Sequence, residues 1–369
     1  MLFGTRFILI SLSIMASAAC LFAEETIENT NNLVIGLLLP PEEHAAAGLS
    51  NSAILSVEQA NQFPGPHVSL VIRGRTGQWG ADGVEAARMV TDDGAQGLIA
   101  PPDGAASHLV LQVSGRTAVP VVSLCADSSV TQTGVPWMVR AVPSTVEEAT
   151  TLFTDLPKGH WVAVVPHGRA GEEVACDLKR AATNSGCFIE KMIDIEPSLT
   201  NAARFAKKIL KNRPDVIFLW LDPATAGRLA KGLRAAGYAG TLAGPSRLRA
   251  VDLIATDGAL EGLLVPSPVL EKGAVATFQR FADAFRARFG HEPDATAAEA
   301  YDAATLLICV LRNNAGHSAR EAFPHSLLFT GASGLLSFDD QGNRKSALRL
   351  LEARGGRFVP RKSGATNSE

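Results

Sequence analysis

Ser123, Cys125, Ala126 and Asp127 gather backbone amides, a hydroxyl, a thiol and one carboxylate just after the apolar residues Val119, Val121 and Val122. That run, punctuated by Pro120 and followed by small polar residues, reads as a buried parallel strand. Loops at the carboxyl ends of such strands are where open α/β sheets hold ligands. Asp127 can accept from a cationic group or from ligand hydroxyls; the competing reading is an Asx turn or a helix cap. Asp103 and Gly104 stand at a second strand end, where helix-start amides can face a ligand, although Asp103 can equally cap that helix. His44 and His167 fall in equivalent loops of two repeated halves, either facing each other across a cleft or simply solvated. Asp222 and Ser246 follow two further strands. Arg73, Arg75, Arg169, Arg247 and Arg249 lie at or just beyond strand ends, where they serve anion recognition or are scattered surface charges. Trp79 can stack on a ligand or cover the core.

This is the chemistry of holding a small polar molecule rather than transforming it. The chain contains no GxSxG, P-loop, GxGxxG or HExxH pattern. Its five cysteines, Cys20, Cys125, Cys176, Cys187 and Cys309, have neither CxxC spacing nor a metal pattern with histidine, so no metal and no cofactor are expected. Cys125, Cys176 and Cys309 fall among apolar residues and read as small buried hydrophobes. The intervening helix separates Cys176 from Cys187, and free thiols are expected.

The chain's 369 residues are long for one core and comfortable for two lobes. With 46% hydrophobic and 19% charged residues it reads as a globular protein. The net charge of -3, the 6% aromatics and the lack of a basic stretch argue against a nucleic-acid partner. Arg6, the apolar residues 7–15 and Ala16-Ser17-Ala18 form a signal peptide over residues 1–23, too short to span a membrane. Periplasmic export follows. Cys20 after Ala18-Ala19 leaves a lipid anchor open, against which Ser17 stands where a lipobox prefers leucine.

Strands and helices then alternate twice. Residues 32–40, 68–72, 97–100 and 119–123 read as strands separated by helices, and the pattern restarts at Trp161 with strands at 161–165, 188–195 and 215–221. Such alternation implies parallel sheets with right-handed crossovers. Two later helices carry apolar stripes, Val275, Phe278, Phe281, Ala282, Phe285 and Phe289 on one, and Tyr301, Ala304, Ile308 and Leu311 on the other. Residues 334–338 and 348–351 close the chain as strands.

These residues resemble a known family. Ile35-Gly-Leu-Leu-Leu-Pro40 with Gly48, Ala86-Ala-Arg88, Val119-Pro-Val-Val-Ser123, Val139-Arg-Ala-Val-Pro143, residues 278–290 with Pro293, Ala300-Tyr-Asp-Ala303 and residues 331–344 are similar, in order and spacing, to the leucine/isoleucine/valine-binding branch of type I periplasmic binding proteins. The resemblance implies an α/β fold of two Rossmann-like lobes with parallel sheets, joined by three crossovers near 140–144, 264–268 and 329–334. One lobe would comprise 32–141 plus 268–330 and the other 142–267 plus 331–360, leaving 361–369 as a disordered tail. It also implies a ligand in the cleft, delivered to an inner-membrane ABC permease. A sensor on the same fold, or a relative that has lost its amino-acid site, is the alternative. The departures bear on the ligand. Where amino-acid binders carry the serine and threonine that grip the ligand carboxylate, this chain has Gly104 and Asp127. Where they carry an acidic residue for the ammonium, it has Ser246, and where they carry an aromatic it has Ala170, beside Arg169. Leucine, isoleucine and valine are therefore expected to bind weakly, with Arg169 and Arg75 as the clamp for an acid.

Overall fold

The computed structural model describes residues 32–74, 78, 80–196, 198–249, 258–268, 272–313 and 328–361, without the side chains of His44 and residues 272–274. The leader, Cys20, Arg75, Trp79 and the tail beyond Arg361 lie outside the described residues.

The first sheet is parallel throughout, with order β2-β1-β3-β4-β5. Its strands are β1 (Leu33–Leu39), β2 (Val68–Gly74), β3 (Gly97–Ala100), β4 (Val121–Ser123) and β5 (Met138–Arg140). Helices α1 (Glu43–Ala60), α2 (Ala81–Thr91) and α3 (Gly104–Thr117) connect them and cover both faces, which is why the strands read as unbroken apolar runs. Ile35 and Leu37 of β1 are fully buried against α1 residues Leu49 and Ala53, and Leu38 packs on the other face with Met89 of α2. Gly36 permits this close approach, because a β-carbon there would sit 2.7 Å from Met89 Sδ and from Leu98 Cδ2.

The second sheet has seven strands in the order β14-β13-β10-β9-β8-β6-β7. Its parallel core comprises β6 (Trp161–Pro166), β7 (Lys191–Ile195), β8 (Val216–Leu219), β9 (Thr241–Ala243) and β10 (Leu264–Pro268). The antiparallel β13 (Leu348–Arg354) and β14 (Arg357–Pro360) finish it. Helices α4 (Thr145–Asp155), α5 (Arg169–Asn184), α6 (Ala202–Leu210) and α7 (Pro223–Ala235) flank this sheet. A cluster of Phe153, Trp161 and Phe218, with ring centroids 5.1 to 5.4 Å apart, anchors α4 on it.

After β10 the chain returns to the first lobe. Helix α8 (Lys272–Phe289) and helix α9 (Ala295–Asn313) pack there, Phe281 and Phe285 against Leu55, and Ala300, Ala303, Ala304 and Leu307 in the core beneath β1. Val275, expected on the apolar stripe of α8, is 51% exposed because it stands one turn short of the packed face. Cys309 is likewise exposed, its neighbours Ile308 and Val310 taking the buried faces of α9, and Cys176 is exposed on α5. Only Cys125 of the three is buried, and the four described cysteines are free.

The third crossing differs from the sequence reading, which divided the lobes at 331. The hairpin of β11 (Leu328–Gly331) and β12 (Gly334–Ser337) belongs to the first lobe, where Leu336 and Phe338 join the core of β1 and α9. Asp302 of α9 draws the hairpin in, accepting from Ala332 N (2.7 Å), Ser333 N (2.7 Å) and Ser333 Oγ (2.6 Å). Farther on, Gly342 O accepts from Arg140 N at 2.8 Å, and Arg344 Nη1 donates to Ala141 O at 2.8 Å. The chain therefore passes to the second lobe only between Lys345 and Leu348. A hairpin's two-residue alternation fits either sheet, and a buried carboxylate distant in sequence decides which.

Candidate functional site

The carboxyl ends of β3 and β4 meet the second lobe where the chain first crosses. Thr145 N, the first residue of α4, donates to Ala126 O at 3.0 Å, so the Ala126 carbonyl is consumed by the crossing. Arg180 of α5 donates from Nη2 to Ser128 Oγ at 2.7 Å across the gap. Gly104 faces both lobes at once: a β-carbon placed on it would lie 3.2 Å from Asp127 Oδ2 and 3.4 Å from Glu173 Oε2 of α5.

Asp127 takes the capping role that the sequence offered. It caps the 3₁₀ turn Ser128–Thr131, accepting from Ser129 N (2.8 Å) and Ser129 Oγ (2.9 Å). Its Oδ2 also meets His108 Nε2 of α3 at 3.3 Å. Burial acts to raise its pKa, and the bonds from His108 and Ser129 outweigh burial and hold it at about 2. The same bond raises His108 above its ordinary value.

The rest of the loop shapes the turn. Ser123 is fully buried, bridging Ser107 Oγ (3.2 Å) and accepting from Cys125 N (3.1 Å). Cys125 accepts from Asp127 N at 3.2 Å through Sγ, and burial pushes its thiol up to about 12, far from a reactive thiolate. Asp103 is exposed and caps α3 through Ala106 N at 2.8 Å. Asp222 does the same for α7 through Thr225 N at 2.9 Å.

His44 lies in the first turn of α1, its side chain outside the described residues. His167 is exposed and turned to the end of β7, where Nδ1 meets Asp194 Oδ2 at 2.6 Å and Nε2 meets Glu196 at 3.6 Å. These carboxylates, Asp194 first, raise its pKa. Arg169 is exposed and paired with Glu173 at 3.0 Å, one turn along α5. Arg73 is taken up by Asp93 (2.7 Å) and Glu85 (3.2 Å), a structural pairing that removes it from anion recognition.

At the end of β9 the turn Ser246–Arg249 packs between β10 and α9. Ser246 N donates to Glu148 Oε1 of α4 at 3.1 Å, and Glu148 is 3% exposed. Arg247 and Arg249 are half-buried beside it. His108, Glu148, Glu173, Arg180 and Glu299 are candidate residues at these strand ends that sequence reasoning missed. The legible signals were two: Glu148 directly follows the Ser144–Glu147 capping box, and Glu299 interrupts a run of alanines.

Among the described residues no group of three or more histidine, cysteine, aspartate or glutamate side chains is placed to hold a metal. None of the described helices is long and apolar enough to cross a membrane. A surface hollow of about 670 Å³, lined by Lys158, Arg213, Tyr238 and Thr241 among others, lies at the amino ends of β6, β8 and β9. It is at the wrong end of those strands for the site, which lies at their carboxyl ends.

Two doubly covered sheets with parallel cores, joined by crossings and meeting at their strand ends, define a two-lobed ligand-binding protein. The chain belongs to the periplasmic binding protein family, which it matches over residues 15–344. Solved structures share the fold. The leucine-binding protein LivK of Thermotoga maritima has a TM-score of 0.79 at 19% identity, over 89% of this chain and 98% of its own. A solute-binding protein of an ABC transporter from R. palustris, in complex with benzoate, also scores 0.79 at 19% identity, over 89% and 95%. The branched-chain amino acid binding protein LivJ of Streptococcus pneumoniae, in complex with isoleucine, scores 0.77 at 16% identity, over 89% and 100%. None of the curated proteins matches the chain. Family and fold are those of non-enzymatic solute-binding proteins, and the family implies an extracytoplasmic location.

Proposed function

We propose that this protein is the extracytoplasmic solute-binding component of an ABC importer, holding one small polar ligand between two closing lobes. The observation that carries this reading is the approach of Glu173 from the second lobe to Gly104 and Asp127 of the first, at the strand ends where such folds hold ligands. The ligands of related folds, isoleucine in one and benzoate in another, set the scale of the molecule. Residues 1–23 act as the export signal when cleavage follows Ala23, whereas cleavage after Ala19 would leave Cys20 as a lipid anchor.

Thermal-shift screening of the mature protein with amino acids, amides and carboxylates tests the reading. A ligand at one hundred times Kd adds about 2.7 kcal/mol of stability. Small-angle scattering with a hit should show a smaller radius of gyration. A saturating ligand that leaves the radius unchanged argues against lobe closure.

A further inference from the structure

Two arginines at the carboxyl ends of β8 and β9 have no anion among the described residues. Arg247 gives Nε to Leu221 O (3.2 Å) and Nη2 to Trp220 O (3.4 Å), at the carboxyl end of β8. Arg249 gives Nε to Ser246 O (3.2 Å) and Nη1 to Ser267 Oγ (2.9 Å) on β10. All four acceptors are neutral, and among the described residues no carboxylate comes within ion-pair distance of either guanidinium. Burial lowers the pKa of both, opposed at longer range by Glu148 and Asp222 for Arg247, and by Glu299, Glu148 and Asp294 for Arg249. Desolvated cations in proteins are ordinarily paired, and each guanidinium here keeps donors that these neutral bonds do not use.

Across from them, on the first lobe's α9, Glu299 is 9% exposed and accepts no hydrogen bond from any described residue. Burial drives its pKa up to about 7 against the pull of Arg249 and Arg344. Glu148 is already committed to Ser246 N. Among the described residues, the second lobe thus offers guanidinium N–H groups with no anionic partner, and the first lobe offers a carboxylate that accepts no hydrogen bond.

We propose that the ligand is a hydroxylated organic acid, its carboxylate seated on Arg247 and Arg249 and its hydroxyl donating to Glu299. This rests on the solute-binding reading above. The planar guanidinium fork suits a carboxylate, and an acid bound here bridges the two lobes. A hydroxyl fits Glu299 better than an ammonium, because two desolvated guanidiniums nearby repel a third cation.

The test is calorimetry on the mature protein with a panel of aromatic and aliphatic hydroxy acids. Each is paired with its carboxamide and its deoxy analogue, and leucine and neutral amides are included. A hydroxy acid should bind, its carboxamide about tenfold or more weaker, and its deoxy analogue weaker as well. In Arg247→Gln and Arg249→Gln the ratio of acid to carboxamide affinity should fall toward one, and in Glu299→Ala the ratio of hydroxy to deoxy affinity should do the same. If Arg247→Gln fails to fold for want of its bonds to β8, the comparison of acid with carboxamide on the unaltered protein still decides. Equal binding of acid and carboxamide, or binding of neutral and cationic compounds only, overturns the proposal while leaving the solute-binding reading intact. A protein that binds and closes on no compound of any class overturns both.

Discussion

Glu173 on α5 and Gly104 at the start of α3 come from different lobes, yet a β-carbon on Gly104 would stand only 3.4 Å from Glu173 Oε2. The glycine is not needed for its backbone conformation, since its φ lies outside the left-handed region. It is needed for room. Gly104→Ala should lower stability slightly, because its β-carbon would press to 3.2 Å from Asp127 Oδ2, which His108 and Ser129 hold in place. Gly104→Leu should wedge the lobes apart, weakening ligand binding at least tenfold while the melting temperature stays near that of the parent. Calorimetry and scattering on the two variants check this, and tight binding by Gly104→Leu would show that the contact is incidental.

The Asp127–His108 pair makes opposite demands on pH. The Asp127 pKa is depressed to about 2 from an ordinary 3.8, so its stabilisation is present above pH 4 and is lost as pH falls through 2. The His108 pKa is raised, so its contribution is present below its ordinary value of 6.5 and is lost as pH rises through the raised value. Asp127→Asn should therefore cost about 1 to 2 kcal/mol at pH 6 and progressively less as pH falls from 4 through 2. Urea unfolding of parent and variant across that range measures it, and a pH-independent difference would refute the assignment.

Asp302 holds the β11–β12 hairpin with a buried carboxylate that accepts from Ala332 and Ser333. Asp302→Ala leaves those donors unpaired in the interior and should cost about 3 kcal/mol or more. Gly331→Ala should be comparably harmful, since a methyl group there would collide with the same carboxylate. Thermal melts of both variants against a surface control such as Lys158→Ala check the claim.

Branched-chain amino acids should bind weakly. Gly104 has no side chain to grip a carboxylate, Ser246 has no charge to grip an ammonium, and Asp127 adds a negative charge on the Gly104 side. A buried carboxylate without donors loses several kcal/mol, enough to remove micromolar affinity. The acid clamp also moves from where the sequence placed it: Arg169 is exposed and spent on Glu173, whereas Arg247 and Arg249 are held at the carboxyl ends of β8 and β9. Titration with leucine is the measurement, and a micromolar Kd would contradict it.

Much of this molecule was readable as sequence because a buried parallel strand declares itself locally. Trp161–Pro166 and Val216–Leu219 are unbroken apolar runs, and the residue after each run is at a strand end wherever the sheet sits. The candidate positions Asp127, Arg169, Asp222 and Ser246 were found that way, and so were the two repeated halves. What each side chain does there was not readable, because its partner is set by how the crossings bring distant segments together. Glu148 meets Ser246 across 98 residues, and Arg140 meets Asn343 across 203. Asp103 and Asp222 turned out to be spent on their own helix starts, and His167 on a neighbouring strand. The hairpin 328–337 fitted either sheet by its alternation, and only the burial of Asp302 beneath it decided. Apolar periodicity specifies the elements and their order, whereas the pairing of buried charges depends on the packed lobes, where desolvation makes each partner matter.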